Sequence, residues 1–442
     1  MAAPDSIGGL GLDIIGVGTQ YPPHSLAASS IDYLSERYYR QSPAMKKILS
    51  INKFTGIDYR SSIGTPEHPI VNKRDPPTIA DLHGVFMSDG VPLAVNASRK
   101  AIAEARIDLS EITHIVSTTC TDSANPGFDH YVAKGLGIEH QVEKVLLHGV
   151  GCSGGLATLR TAANLALGHK FRGKPARILC VALEISTTLV RSELDSIDET
   201  QETRIGVALF SDCASAVVLS NGIGEPTTPV YSLLGWEHKI IPDTEGDLGF
   251  DVNPVGWKVV LSPRVPKLAS GAVPSTFQEL LASTPSLGPS YREADDFDWA
   301  MHPGGATILS AAEESMGITS YHMRASYDTY INHGNSSSAT IFSVMDRLRS
   351  KDMDAIAPDG RPRDYVVGCA FGPGISVEMC MLKRNLAARG LTGLETPPET
   401  ESEGSRSEAG DDGGAQMEGQ TPSVRDGDQS FVAEALDNLE LD

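Results

Sequence analysis

An α/β fold built from two similar halves is the class this sequence predicts, on three observations. Strand-like apolar runs alternate with helix-like segments as far as about Arg384, the order expected of α/β proteins. Two strand–glycine–helix units recur about 150 residues apart, one at Gly151-Cys152 and one at Pro303-Gly304-Gly305. The composition is that of a globular chain: 442 residues, 40% hydrophobic and 21% charged, enough for two domains or one large duplicated one.

The elements follow in order. MAAPDSIGGLGLDIIGVG has no basic n-region and only a short, Gly-rich apolar stretch, so it reads as a first strand and not as a secretory signal. GGLGLD contains G-x-G but lacks a third glycine and precedes its strand, which rules out a dinucleotide fingerprint. HIVSTTC is strand-like. KVLLHGV reads as a buried strand running through Gly151-Cys152 into the apolar helix GGLATLRTAANLALGHK. RILCVALEI and ASAVVLS are further strands. In the second half DFDWAMH leads through Pro303-Gly304-Gly305 into the helix ATILSAAEESMG. YDTYINHGN then makes a third strand–turn–helix junction, leading into SSSATIFSVMDRLRS, a helix capped by serines. DYVVGCAF and ISVEMCML close the strand set. A largely parallel sheet or pair of sheets is expected, with an N-terminal half over 1–225 and a C-terminal half over 226–386.

The segment 387–442 is polar, Gly/Ser/Glu-rich and expected to be disordered, because it cannot bury enough apolar surface to offset its chain entropy. From Leu391 onward it holds 14 acids against Arg406 and Arg425, more than half of the formal net charge of −21. The last residues, FVAEALDNLELD, form either a short amphipathic docking helix or a frayed end.

Several function classes fall away. The folded part is only mildly acidic and has no basic stripe, which argues against nucleic acid as a partner. No run approaches the roughly 20 apolar residues that span a bilayer. Six cysteines without a signal peptide read as free thiols, not a disulfide framework, so a soluble, cytoplasmic protein is expected. No His/Cys cluster has metal-ligand spacing, and no metal is expected.

Three side chains stand out at the junctions. Cys152 lies between Gly151 and Gly154-Gly155 at a helix start, where the helix N-terminus and a neighbouring imidazolium would favour thiolate. His302 ends a strand in MHPGG, and Asn335 precedes a serine-rich helix start in HGNSSSA. Each taken alone could be ordinary: a buried cysteine, a locally satisfied histidine, a cap. Together Cys, His and Asn can activate a nucleophile and stabilise an oxyanion or enolate. A papain-like protease uses the same three types in that order, but that family wants a tryptophan shortly after the cysteine, and here the run is Cys152-Ser153-Gly154-Gly155.

GVGCSGGLATLR, WAMHPGGATIL and HGNSSSAT resemble the nucleophile, histidine and asparagine motifs of the type III polyketide synthases, the chalcone and stilbene synthase superfamily. AFGPGISVEM is similar to that family's glycine–proline loop and puts Pro373 on the active-site wall. RIGVALFSDCASAVVLS is similar to its gatekeeper segment and puts Phe210 at the gate. These motifs cover Gly9 to about Arg384, and GVGCSGG with the acidic tail is similar to the fungal branch, the 2-oxoalkylresorcylic acid synthases in particular.

The resemblance implies a duplicated five-layered αβαβα thiolase fold, a homodimer, and acyl-CoA and malonyl-CoA as substrates, with no metal or redox cofactor. It implies that Cys152 carries the starter acyl group. His302 and Asn335 would hold the malonyl thioester as CO2 leaves, and loss of CO2 makes the carbanion without a strong base. Pocket positions fall on Cys120, Ser186, Ser337 and Phe250. The second gating Phe falls on Val259, whose smaller side chain would admit a long alkyl starter. A methionine that crosses the dimer in plant relatives is replaced by Asn125. Lys46, Lys47 and Lys53 in MKKILSINK, with Gly304 and Gly305, are the CoA-binding candidates, although three lysines also make an ordinary solvated helix face. The expected products are alkylpyrones, alkylresorcinols or alkylresorcylic acids. Two rivals stay open: a chain-initiating ketoacyl-carrier-protein synthase, and a non-catalytic thiolase-fold scaffold that recruits partners through its acidic tail.

Overall fold

The structure, a computed structural model, describes residues 9–254, 256–284 and 287–387. Almost all of the acidic segment expected to be disordered, 388–442, lies outside the described residues, as does the possible terminal helix.

Thirteen strands are described: β1 (Leu12–Gln20), β2 (His24–Ala27), β3 (Tyr59–Ser62), β4 (His114–Thr118), β5 (Glu143–Leu147), β6 (Arg177–Ile185), β7 (Asp212–Ser220), β8 (Tyr231–Ile240), β9 (Leu248–Asn253), β10 (Gly256–Leu261), β11 (Asp298–Met301), β12 (Tyr365–Gly372) and β13 (Ser376–Arg384). Nine of them form one sheet in the order β11-β12-β13-β8-β1-β7-β6-β4-β5. The duplication is written in that order. In the first half β4 runs parallel to β6, β6 antiparallel to β7, and β7 antiparallel to β1. In the second half β11, β12, β13 and β8 repeat the same three relations. A short antiparallel contact, Leu12–Ile14 of β1 against Tyr231–Leu233 of β8, joins the halves.

The core falls into layers. Helices Val91–Ala105 and Phe128–Leu136 cover one outer face of the first half-sheet. Helices Val265–Ser283 and Ala306–Met316 cover the outer face of the second. Between the half-sheets lie helices Gly154–Phe171 and Thr340–Arg347, packed into one core with Val217, Cys180, Ala300 and Leu382. This is the five-layered αβαβα arrangement. The middle helices approach so closely that a Cβ on Gly155 would stand 2.4 Å from Ile341 Cγ2, so only glycine fits there.

Three expectations need correction. The sheet is mixed, not largely parallel: only the β4–β5, β4–β6 and β11–β12 pairings are parallel. β6 and β7 are buried along their whole length because helices cover both faces, and such strands read alike whether parallel or antiparallel. KVLLHGV gives β5, which is the sheet edge and half-exposed, not a buried strand. YDTYINH forms the end of helix Arg324–His333, so Asn335 follows a helix and not a strand. All six cysteines are free thiols, as expected.

Candidate active site

The nucleophile candidate sits on a single tight turn, Gly151–Ser153, that feeds directly into helix Gly154–Phe171. Gly151 has φ +47°, and a Cβ there would lie 2.5 Å from Pro373 Cδ. The glycine–proline loop therefore presses on the back of the cysteine turn, which only glycine permits. Cys152 is half-exposed. Its sulfur accepts a hydrogen bond from Ser337 Oγ at 3.3 Å. Burial of the surrounding chamber pushes the thiol up to about 11, and the Ser337 bond pulls the other way.

His302 arrives from the end of β11, its backbone N–H fixed to the Cys369 carbonyl at 2.8 Å. It is 1% exposed, and neither ring nitrogen has a hydrogen-bond partner among the described residues. Burial pushes it down to about 3, which favours the neutral ring. Desolvation works against the imidazolium expected to support the thiolate and favours a neutral N–H donor.

Asn335 ties these pieces together. Its Nδ2 donates to Gly304 O at 3.2 Å, and its Oδ1 accepts the Ser337 N–H at 2.8 Å. Cys152, Ser337, Asn335 and the Pro303-Gly304-Gly305 turn thus form one continuous set of contacts, drawn from both halves. The backbone of Asn335 also bridges to Phe210: Asn335 N donates to Leu209 O, and Ser211 N donates to Asn335 O.

Two of the candidate gate residues are aromatic and face each other. Phe210 meets Phe250, ring centroids 6.1 Å apart. Val259 is the register partner of Phe250 on the β9–β10 hairpin and packs against Gly206, in the turn that precedes Phe210. Phe250 and Val259 are directly opposed and so lie side by side on one face of the hairpin, Val259 buried there. Beside Phe210 opens a cleft of about 600 Å³, part of it solvent, with apolar walls from Leu26, Ile31, Leu34, Ile63 and Val207.

One group was missed by the sequence reading. Glu184, at the end of β6, is fully buried beside Cys120. It accepts the Cys120 N–H at 3.1 Å, the Cys120 thiol at 3.3 Å, Thr119 Oγ1 at 3.2 Å and Thr121 Oγ1 at 3.0 Å, with a further bond from Ser338 Oγ. Burial raises its pKa. Cys120 in turn lies 3.3 Å from Ser337 Oγ, which places a carboxyl three contacts from the Cys152 sulfur. The signal was a lone acid inside the otherwise apolar run RILCVALEI, since a buried acid demands partners.

The remaining candidates lie nearby. Ser186 is buried at the end of β6 with no partner for its hydroxyl among the described residues. Lys46 and Lys53, two turns apart on helix Pro43–Lys53, share one exposed face, and Lys47 is half-buried a quarter-turn away. Gly305 stands in extended backbone immediately before helix Ala306–Met316. Asn125 is exposed.

A mixed, duplicated five-layered fold with Cys, His and Asn converging at its middle layer defines a thiolase-type condensing enzyme. Family comparison narrows this: residues 13–223 match the N-terminal domain of the chalcone and stilbene synthases and residues 233–386 the C-terminal domain. The chain belongs to that family and is a type III polyketide synthase. It is 38% identical to the acylalkylpyrone synthase CsyB of Aspergillus oryzae over 84% of this chain and 94% of the relative. It is 40% identical to the type III polyketide synthase PspB of Penicillium soppii over 85% and 96%. Among solved structures it superposes on a type III pentaketide synthase from Neurospora crassa with a TM-score of 0.84 at 70% identity, covering 85% of this chain and all of the other. No described helix is long and apolar enough to cross a membrane.

Proposed function

We propose that this chain loads a medium- or long-chain fatty acyl group from CoA onto Cys152, extends it with malonyl-CoA, and cyclises the product to an alkylpyrone, alkylresorcinol or alkylresorcylic acid. The observation that carries this reading is the run of contacts Cys152–Ser337–Asn335–Gly304 beside the buried His302, whose ring nitrogens have no hydrogen-bond partner among the described residues. CsyB has been solved with CoA-SH bound, which supports a CoA thioester as substrate here.

The steps follow from the geometry. The Cys152 thiol attacks the acyl-CoA carbonyl, the bond to the CoA sulfur breaks, and the proton leaves with the CoA thiol. A malonyl thioester then places its carbonyl oxygen against a His302 N–H and the second Asn335 Nδ2 hydrogen. Its carboxylate departs as CO2 and the bonding pair stays behind as an enolate held by those two donors. The enolate carbon attacks the acyl carbon and Cys152 leaves as thiolate, two carbons added. Phe210 and Phe250 screen the entrance, Cys120, Ser186, Ser337 and Pro373 wall the chamber, and the apolar cleft beside Phe210 offers a place for an alkyl chain. Lys46, Lys47 and Lys53 are proposed to hold CoA phosphates. The active form is taken to be a cytoplasmic homodimer.

Incubation with malonyl-CoA and acyl-CoAs of graded chain length, read by mass spectrometry beside a Cys152→Ala control, tests the reading. Alkylated tri- to pentaketides that vanish with Cys152→Ala are expected. Extension of acyl carrier protein alone would overturn it.

A further inference from the structure

Far from the gate, three side chains without short-range spacing in the sequence meet at one point: His114, Glu143 and His169, whose ligand atoms all lie within 4.8 Å of one another. His114 and Glu143 are register partners at the start of β4 and β5. His169 is in the last turn of helix Gly154–Phe171. Seventeen residues separate it from Cys152, about 25 Å at 1.5 Å per residue, so this cluster and the condensing site lie at opposite ends of the same helix.

The hydrogen bonds show which ring nitrogens are turned to the shared point. Thr113 Oγ1 donates its one hydrogen to Arg177 O at 3.1 Å and accepts the Arg177 N–H at 3.1 Å. His114 Nδ1 lies 2.8 Å from the same oxygen, and the tautomer that donates its N–H there satisfies all three contacts. In a neutral ring the lone pair then lies on Nε2, which is buried, has no hydrogen-bond partner among the described residues, and stands 3.8 Å from Glu143 Oε2. His169 follows the same rule: its Nδ1 faces the Pro175 carbonyl at 3.3 Å, which leaves Nε2 as the ligand nitrogen. A backbone or hydroxyl partner on one nitrogen with the other turned to a shared point is how metal-binding histidines are oriented.

The surroundings agree. His114 is 2% exposed, and its ring packs edge-on against that of His169. The Glu143 side chain is 80% exposed and free to rotate inward to close the set. The helix C-terminus itself favours a cation. Two imidazoles and one carboxylate suit zinc or a neighbouring divalent transition metal, with a fourth position for water.

We propose that His114, Glu143 and His169 form a divalent transition-metal site of the zinc class. The metal would pin the C-terminal end of the Cys152 helix to the edge of the first half-sheet. It takes no part in condensation, so the proposal stands apart from the reading of the active site.

Cobalt(II) titration of the metal-stripped full-length protein tests it, followed by zinc competition. Visible d–d bands of four-coordinate intensity are expected at one equivalent, without the near-ultraviolet sulfur-to-cobalt band that the thiols Cys120 and Cys152 would give. Zinc should raise the melting temperature by a few degrees. Both variants fall on accessible side chains: His169→Ala should abolish the bands, and Glu143→Gln should weaken affinity at least tenfold while leaving metal-free turnover unchanged. Absence of bands, a sulfur charge-transfer band, or binding untouched by both variants would each overturn the site.

Discussion

Ser337 joins three members of the site: its hydroxyl donates to Cys152, touches Cys120, and its N–H is held by Asn335. It does so from the left-handed region, φ +47°, which costs a non-glycine residue about 1–2 kcal/mol. Two variants separate these features. Ser337→Ala keeps the strain and removes the hydroxyl, so alkylation of Cys152 by iodoacetamide at fixed pH should slow roughly fivefold, the worth of one net hydrogen bond of about 1 kcal/mol. Ser337→Gly should slow alkylation equally but resist urea better than Ser337→Ala by about 1 kcal/mol, because glycine enters that region freely. Equal urea midpoints for the two would show that the backbone there is not strained. Cys152, His302 and Asn335 were legible in the sequence because each is a reactive side chain beside a glycine or a cap. Glu184 and Ser337 were not legible as a pair, since their partners come from other segments and exist as neighbours only after folding.

At the scale of elements, the β9–β10 hairpin that carries Phe250 is latched by a buried acid. Glu193, in helix Val190–Thr200, accepts the Val259 N–H at 2.7 Å, while its second oxygen has no partner among the described residues. Burial raises this carboxyl from 4.5 to about 7. An acid with a raised folded-state pKa contributes its full stability below about pH 4.5 and loses it as pH rises through 7, because ionisation is easier in the unfolded chain. Glu193→Gln keeps an acceptor for Val259 and removes the charge. The variant should therefore gain on the wild type between pH 5 and pH 8, by on the order of 3 kcal/mol, in urea titrations at the two pH values. A difference that does not change with pH would mean Glu193 is already ionised or solvated. This hairpin shows where sequence stops. The alternation in GWKVVL gives only a strand, and that Val259 stands beside Phe250 on one face is set by register with β9. The same limit produced the parallel-sheet expectation: hydrophobic pattern reports burial, not the direction of the neighbouring strand.

For the whole molecule, the decisive feature is that neither half owns the middle layer. Leu159, Cys180 and Val217 from the first half share one buried core with Ile341, Phe342, Val366 and Leu382 from the second, and Tyr231 donates its hydroxyl to Met345 O within it. Separating the halves would expose that core, unlike a typical interdomain contact, which is smaller and more polar. One cooperative unfolding transition is therefore expected in spite of the length of the chain. The tryptophans make this easy to check. All three, Trp236, Trp257 and Trp299, belong to the second half, whereas far-ultraviolet circular dichroism reports helices of both. Fluorescence and dichroism should give superimposable urea curves with one midpoint. Curves that part would mean the halves unfold independently, and the active site, whose Cys152 comes from one half and whose His302 and Asn335 come from the other, would then be lost with whichever half opens first.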